Sequence, residues 1–139
     1  MIYMIRISAS KMVDTKQLDG LWSSIGWKKR GDKKWKEVMS KTSFCTSAWN
    51  GKILVGFGRI LEDGIMCMFY DIGVHPKYHG KGIGTEIMKK LIQQVKGKKY
   101  ASVGLFIWES NKGNIPFYQK FGFEKVSTGM ELVRYMRRE

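Results

Sequence analysis

The spacing of apolar residues in the first third of the chain predicts one strand and two helices. Apolar and polar residues alternate weakly in MIYMIRIS, residues 1–8, which predicts a strand. From about Thr15 to Ile25 the apolar residues recur every three or four positions, as on one face of a helix that Gly26 ends. One or two further helical turns are predicted over residues 33–39.

The middle of the chain predicts three strands joined by two tight turns. The segment SFCTSAWNGKILVGFGRIL contains Asn50-Gly51, a dipeptide that favours a hairpin because both residues tolerate positive φ. Glu62-Asp63-Gly64 predicts the next turn. The following segment, IMCMFYDIGV, is almost continuously apolar, which is typical of a strand buried on both faces.

The last part of the chain predicts two more helices and two more strands. A helix is predicted from about Gly82 to Val95, a buried strand in YASVGLFIWE (100–109), and a short helix between Pro116 and Gly122. MELVRYMRR, residues 130–138, predicts a final strand. The order β-α-α-β-β-β-α-β-α-β predicts a mixed α/β sheet with one right-handed crossover. No linker composition divides the sequence, so we expect residues 1–139 to form a single domain.

The charge of the chain indicates an anionic ligand, and other features exclude several classes of protein. The formal net charge is +13, with 25 Lys and Arg residues, which attracts anionic ligands and polyanions. Cys45 and Cys67 have no metal-binding spacing, so neither a metal site nor a disulfide framework is predicted. Arg6 interrupts the N-terminal apolar run, and no run approaches the ~20 apolar residues that a membrane span requires. We therefore expect a soluble cytoplasmic protein.

A glycine-rich segment between a strand and a helix predicts a phosphate-binding loop. In VHPKYHGKGIGTEIMKK the strand ends at Val74, and the helix begins near Gly82 with unpaired amide groups. Gly80, Gly82 and Gly84 allow phosphate to approach the main chain. Neither the Walker A spacing nor the G-x-G-x-x-G spacing of dinucleotide-binding folds occurs here.

Two motifs at this point resemble those of the GCN5-related N-acetyltransferase (GNAT) superfamily. The segment HGKGIG is similar to the acetyl-CoA loop [Q/R]-x-x-G-x-[G/A] at both glycines, with His79 in place of Gln or Arg. The downstream segment NKGNIPFYQKFGF is similar to the pattern N-x-x-A-x-x-F-Y-x-K-x-G-F, with Asn114 in place of Ala. The resemblance covers nearly the whole chain and agrees with the predicted order of elements.

The resemblance implies a fold and a set of residues that bind acetyl-CoA. The fold is a mixed, mostly antiparallel sheet flanked by helices, with a central parallel pair of strands, 66–74 and 100–109, that splay apart after Val74. Main-chain amides of Ile72, Gly73 and Val74 would bind the pantetheine arm, and the Val74 amide would face the thioester oxygen. The other residues implied in acetyl-CoA binding are His79, Gly80, Lys81, Gly82, Ile83, Gly84, Thr85, Asn111, Asn114 and Tyr118.

The same resemblance implies direct acetyl transfer to a primary amine through a tetrahedral intermediate. Tyr118 would meet the departing sulfur. Asp71, on the buried strand, is the first candidate for the general base, because an alkylammonium must lose a proton before it attacks. The alternative, that Asp71 only orders the turn or a sheet bulge, stays open. Glu109 is the second candidate base.

The acceptor is expected to meet the first two helices and the loop between them. This region mixes tryptophans with cations, including Trp22, Trp27, Lys28, Lys29, Arg30, Lys33, Lys34 and Trp35. Such a surface suits an anionic or aromatic small-molecule amine and repels a polyamine. A protein acceptor and a basic nucleic-acid or ribosome-binding module on the same fold are the alternatives, and a salt-dependent gel shift distinguishes the last of them. A homodimer is also consistent with the resemblance.

Overall fold

The computed structural model describes residues 4–126 and 129–130, and of Glu109 the backbone only. The chain divides into two compact units, residues 1–106 and residues 107–139. The prediction of one domain over the whole chain stays a prediction.

The first unit contains a five-stranded sheet and three α-helices. Its elements are β1 (Ile5–Ser8), α1 (Thr15–Ser24), α2 (Asp32–Lys41), β2 (Phe44–Asn50), β3 (Ile53–Glu62), β4 (Met66–Val74), a 3₁₀ turn (Pro76–Tyr78), α3 (Ile83–Val95) and β5 (Ser102–Leu105). The strands follow each other in the order β1-β2-β3-β4-β5, and only β4 and β5 are parallel. This confirms the mixed, mostly antiparallel sheet with one parallel pair.

The second unit contains a 3₁₀ turn, Glu109–Asn114, followed by the short helix α4, Ile115–Gln119. Pro116 lies in the first turn of α4, and Gly122 follows the helix with φ 94°. Both ends agree with the sequence prediction, because proline lacks the amide that a first turn leaves unpaired and glycine adopts positive φ without steric cost. The predicted final strand, residues 130–138, falls almost wholly outside the described residues.

The boundaries of α1 follow from local side-chain chemistry. Asp14 precedes the helix, and its Oδ1 accepts hydrogen bonds from the amides of Lys16 (2.9 Å) and Gln17 (3.4 Å). Gly26 follows the last turn with φ 93°. The helix buries its apolar face, and α2 is longer than the one or two turns that the sequence predicted.

The hairpin between β2 and β3 forms one position later than the dipeptide Asn50-Gly51 suggested. Asn50 pairs with Ile53, so the two-residue loop is Gly51-Lys52. Gly51 has φ 61°, and no other loop residue has positive φ. This is the pattern of a type II′ turn, which has glycine at its first central position.

Two strand predictions differ from the structure. In β4 only Cys67 and Phe69 are buried, and the alternating Met66 is 42% exposed, so this strand is not covered on both faces. The strand β5 is four residues long instead of ten, and its Val103 is 47% exposed. The apolar composition of residues 100–109 did not predict the length of β5, because β4 pairs with it over only four residues, from Met66–Ser102 to Phe69–Leu105. The two strands therefore part five residues before Val74, and not after it.

The sheet separates two layers that matter for the site. On one face α3 packs against β2 and β3. On the other face Trp22 of α1 and Trp35 of α2 pack with Phe57 of β3 in one buried cluster. Among the helices of the described residues, none is long and apolar enough to cross a membrane.

Gly58 allows α3 to approach the sheet closely. A Cβ at this position would lie 2.9 Å from Leu91 Cδ1, 3.1 Å from Ile87 Cγ2 and 3.2 Å from Ile72 Cγ1. Three side chains on two elements would have to move, so we expect Gly58→Ala to lower the free energy of unfolding by about 1–3 kcal/mol in urea titrations. Gly20→Ala is the control, because its Cβ meets nothing within 4 Å and alanine favours the helix by about 0.5–1 kcal/mol. Equal stability of the Gly58→Ala variant would contradict this close packing.

Candidate active site

The candidate site starts at a bulge in β4. The register passes from Phe57–Gly73 to Arg59–Tyr70, so β4 carries one more residue than β3 over this stretch. Asp71 lies in the bulge with φ 55°, and it is the one non-glycine residue with positive φ in the described part of the chain. A bulge of this kind bends a strand and turns its backbone groups away from the partner strand.

Two arginines hold the side chain of Asp71. Nη1 of Arg30 donates a 2.8 Å hydrogen bond to Oδ2 of Asp71, and Nη2 donates a 2.8 Å hydrogen bond to Oδ1. Nε of Arg59 donates a 2.6 Å hydrogen bond to Oδ2. The Asp71 side chain is 11% exposed. Arg30 belongs to the loop between α1 and α2, so this ion pair attaches that loop to the bulge.

This geometry argues against Asp71 as the general base. Burial is the largest single influence and raises the pKa of the Asp71 carboxyl, but the hydrogen bonds and charges of Arg30 and Arg59 together outweigh it and lower the pKa below its usual value. A carboxylate that already accepts three charged hydrogen bonds has little tendency to take a proton from an ammonium group. The alternative from the sequence, that Asp71 orders a sheet bulge, agrees with the structure.

Arg30 is positioned by contacts on every side. Its guanidinium lies 5.0 Å from the ring centroid of Trp22 and 4.6 Å from that of Trp35. Its backbone amide donates a 2.8 Å hydrogen bond to Oδ1 of Asp19, and the Gly31 amide donates a 3.1 Å bond to the same oxygen. These contacts attach the loop to α1 and α2. Sequence reasoning placed Arg30 only among the basic residues and missed its partner.

Arg59 was also missed, although the sequence contains a signal for it. It is the one charged residue in the otherwise apolar segment ILVGFGRIL. A charge in such a strand requires a partner of opposite charge, because an isolated buried ion is strongly unfavourable. The partner that the structure gives to Arg59 is Asp71, the acidic residue of the neighbouring strand β4.

The main chain of Val74 is directed away from β3. Val74 is the register partner of Gly56, and the amide of the next residue, His75, donates a 2.8 Å hydrogen bond to the carbonyl of Val55. Val74 therefore occupies a non-hydrogen-bonded position of the antiparallel ladder, and its own amide and carbonyl point to the opposite side. Among the described residues, pairing of β4 with β5 ends at Phe69, so β5 does not pair with that side of Val74.

Gly73 has a different role from the one the resemblance implied. By the alternation of the ladder its amide faces Phe57 on β3, so it does not point to the open edge. Its missing side chain leaves room for the α1–α2 region instead. A Cβ on Gly73 would lie 2.6 Å from Cδ1 of Ile25 and 3.3 Å from Cζ3 of Trp27.

His79 connects the glycine loop to the end of β4. Its Nε2 lies 2.8 Å from the carbonyl oxygen of Val74, and because a carbonyl only accepts, Nε2 carries the proton in this contact. A phosphate contact from His79 would then require a second proton on Nδ1. We therefore assign His79 to loop positioning in place of the direct phosphate contact of Gln or Arg.

The start of α3 presents uncapped amides to solvent. Gly82 precedes the helix with φ 78° and offers no side chain to cap it, so the amides of Ile83, Gly84 and Thr85 are left for a ligand or water. Gly80 has φ 75°, and a Cβ on either Gly80 or Gly82 would meet no atom within 4 Å. The helix has 13 residues and points its positive end at this open main chain. The arrangement fits a pyrophosphate group.

Comparison with known proteins decides the family. The model of the acetyltransferase (GNAT) family matches residues 12–123. This chain belongs to the GNAT family. An uncharacterised N-acetyltransferase, ycf52, of Pyropia yezoensis is 32% identical over 132 residues, which cover 91% of this chain and 74% of that protein. A ycf52-like N-acetyltransferase of Prochlorococcus marinus, also uncharacterised, is 29% identical over 126 residues, which cover 87% of this chain and 68% of that protein.

A solved structure supports the same assignment. A GNAT acetyltransferase from Streptococcus pneumoniae TIGR4 superposes with a TM-score of 0.79 at 28% identity, covering 98% of this chain and 100% of that one. The family and the fold that the two sequence motifs predicted are thereby confirmed.

The second GNAT motif lies in the second unit. Asn111 and Asn114 are in the 3₁₀ turn, and Tyr118 is in α4, half-buried, with its ring centroid 5.1 Å from that of Phe117 and 6.4 Å from that of Phe123. Burial raises the pKa of the Tyr118 phenol. The phenol therefore stays protonated over the physiological range and is available as a hydrogen-bond donor.

Two tryptophans of the predicted acceptor region are core residues. Trp22 is 4% exposed and Trp35 is fully buried. Neither indole presents a face to an aromatic acceptor or to a nucleic-acid base, which removes the main support for both of those predictions. Trp27 is half-buried and packs over Gly73.

Proposed function

We propose that this chain transfers the acetyl group of acetyl-CoA to a primary amine of a small molecule. The observation that supports it best is that the Val74 amide, turned away from β3, and the uncapped start of α3 lie at the two ends of one short segment. One end offers a donor for a thioester oxygen, and the other offers a cradle for a pyrophosphate. Membership of the GNAT family supports acetyl-CoA as the donor substrate.

The proposed reaction is a direct transfer. The neutral amine attacks the thioester carbonyl carbon, negative charge develops on the carbonyl oxygen, and the Val74 amide stabilises that charge. The nitrogen then releases one proton to solvent water, the carbon–sulfur bond breaks, and the departing thiolate receives a hydrogen bond from Tyr118. Full proton transfer from a phenol with a pKa of about 10 to a thiolate of a thiol with a pKa of about 8.5 is uphill by about 2 kcal/mol. The raised pKa of Tyr118 enlarges this difference. Hydrogen bonding is therefore the main contribution of the phenol.

The proton of the attacking ammonium group requires another acceptor, because Asp71 is held by two arginines. Glu109, the second candidate from the sequence, stays a prediction, since its side chain lies outside the described atoms. Water at the amine is the alternative route. Replacement of Glu109 by Gln separates the two: a loss of kcat together with a changed acidic limb of the pH profile assigns the proton to Glu109.

We expect Gly82→Ala to raise the KM for acetyl-CoA at least tenfold. The Cβ would stand on the open main chain where the pyrophosphate binds, and alanine disfavours the φ of 78°. Gly97→Ala is the matched control, because Gly97 follows the other end of α3 with φ 84° and likewise has nothing within 4 Å. Both variants lose similar stability, and only the first should lose affinity in a steady-state assay. Equal KM values for the two variants would remove the glycine loop from acetyl-CoA binding.

The activity itself is tested by acetyl-CoA-dependent thiol release on anionic, neutral and cationic amine pools. The protein's own thiols give little background, because Cys45 and Cys67 are both fully buried and burial raises the pKa of Cys45 to about 11. Turnover in any pool establishes the transferase. Silence in all three contradicts a small-molecule acceptor and favours the protein-acceptor alternative. A cytoplasmic location and a homodimer stay predictions.

A further inference from the structure

Arg59 has donors that its structural role does not use. Its Nε is bound to Asp71, and its guanidinium lies 5.1 Å from the ring centroid of Tyr70. Among the described residues no group accepts a hydrogen bond from its two terminal nitrogens, and neither nitrogen is sealed from solvent. The side chain is nevertheless only 14% exposed. Both terminal nitrogens therefore reach solvent and can donate to a ligand, although most of the side chain is buried.

The position of Arg59 places this fork on the acceptor side of the sheet. A Cβ on the preceding residue, Gly58, would meet Leu91 and Ile87 of α3. Successive side chains of a strand alternate between faces, so Arg59 points to the face that carries α1 and α2. Along β3 it is three residues from Gly56, the partner of Val74, which is about 10 Å at ~3.3 Å per residue.

The charge around Arg59 is not balanced. Two guanidinium groups, of Arg30 and Arg59, share the single carboxylate of Asp71. One positive charge is therefore left in a partly dehydrated place, where an added anion is favoured more than at the open surface. Nε and the aromatic face of Tyr70 fix the guanidinium before any ligand arrives, which reduces the entropy lost on binding.

We propose that the terminal fork of Arg59 binds an oxyanion of the acceptor, a carboxylate or a phosphate monoester, by two parallel hydrogen bonds. This rests on the proposed function for the identity of the ligand as an acceptor. Binding of the oxyanion by Arg59 selects acceptors in which the amine and the oxyanion are separated by several bonds. The reason is that the oxyanion binds about 10 Å along the sheet from the Val74 amide. Planar bidentate recognition of this kind is specific to arginine.

The test measures anion binding without acetyl transfer. Benzoate, phenyl phosphate and the neutral benzyl alcohol are titrated by calorimetry into the wild-type chain, Arg59→Lys, Arg59→Gln and Lys52→Gln. Arg59→Lys keeps a charge beside Asp71 and removes the fork, so it remains informative if Arg59→Gln folds poorly. Lys52→Gln removes an exposed charge from the loop between β2 and β3 and is the control for general electrostatic attraction.

We expect at least tenfold weaker anion binding in both Arg59 variants, an unchanged dissociation constant in Lys52→Gln, and no comparable binding of benzyl alcohol. The tighter of the two anions identifies the oxyanion. Equal binding in wild type and Arg59→Lys, or no anion binding to wild type, overturns the proposal whatever the outcome of the transferase assay. As a second readout, thiol release with 6-aminohexanoate should exceed that with hexylamine, and Arg59→Lys should abolish the difference.

Discussion

Tyr118→Phe is expected to lower kcat at least tenfold while the affinity for acetyl-CoA stays nearly unchanged. The substitution removes one hydroxyl from a half-buried ring and leaves its packing against Phe117 and Phe123 in place. The departing thiolate then forms without a hydrogen-bond donor, a loss that acts on the transition state more than on the bound substrate. Steady-state kinetics together with a direct titration of acetyl-CoA separate the two effects.

The control for this variant is Tyr100→Phe, which removes a phenol from the loop before β5. Its kcat should match that of the wild-type chain. Because burial raises the pKa of Tyr118, its ionisation should not limit the rate below about pH 10, and the wild-type and Tyr118→Phe profiles should run parallel between pH 6 and 9. Unchanged turnover of Tyr118→Phe would remove Tyr118 from the mechanism.

Asp71→Asn is expected to lower the free energy of unfolding by about 3 kcal/mol at neutral pH, because it leaves two partly buried arginines without their shared anion. Asparagine tolerates the φ of 55° as aspartate does, so the substitution tests the charge and not the backbone. Glu86→Gln is the control, since it removes a carboxylate from an exposed pair with Lys89 and should change the stability little. Urea titrations measure both variants.

The pH dependence of this effect has a definite sign. The pKa of Asp71 is lower in the folded chain than the value near 3.9 of an unfolded aspartate. The ion pairs therefore stabilise the fold fully above about pH 4, and this stabilisation is lost as the pH falls through the lower, folded pKa. The difference in unfolding free energy between wild type and Asp71→Asn should shrink below that pH. A constant difference down to pH 3 would contradict the assignment.

Kinetics of the same variant test the role of Asp71. If Asp71 only holds the bulge, the folded Asp71→Asn protein should keep its kcat within about tenfold and its pH profile. Removal of a general base would cost about 10²–10⁴ in rate and change the acidic limb of the profile, where protonation of the base lowers the rate. The latter result would restore the original sequence-based role of Asp71.

Most elements of the fold were predictable because their signals are local. Gly26, Gly64 and Gly97 all have positive φ at ends of elements, where glycine alone adopts it without strain. The start of α3 was placed within one residue for the same reason, since Gly82 stands between a strand and a regular apolar repeat. The two motifs of the family lie on these local elements, which is why the family could be identified from residues alone.

The errors concern properties that depend on neighbours distant in the chain. The segment 100–109 has the composition of a buried strand, but its length is set by the four residues over which β4 offers it partners. Trp22 and Trp35 were assigned to the acceptor region, but α1 and α2 bury them in one cluster with Phe57. Composition reports the tendency of a segment, and burial depends on what is packed against it.

The sequence by itself determined the order of the described elements, the positions of most turns, the glycine loop before α3 and the family, because each depends on residue type and spacing over a few positions. The tertiary structure decided the chemistry of the site. Arg30 and Arg59 are at least 12 residues away from Asp71 along the chain, yet both bind its carboxylate. An aspartate's basicity depends on the charges around it, and only the folded chain brings those charges together.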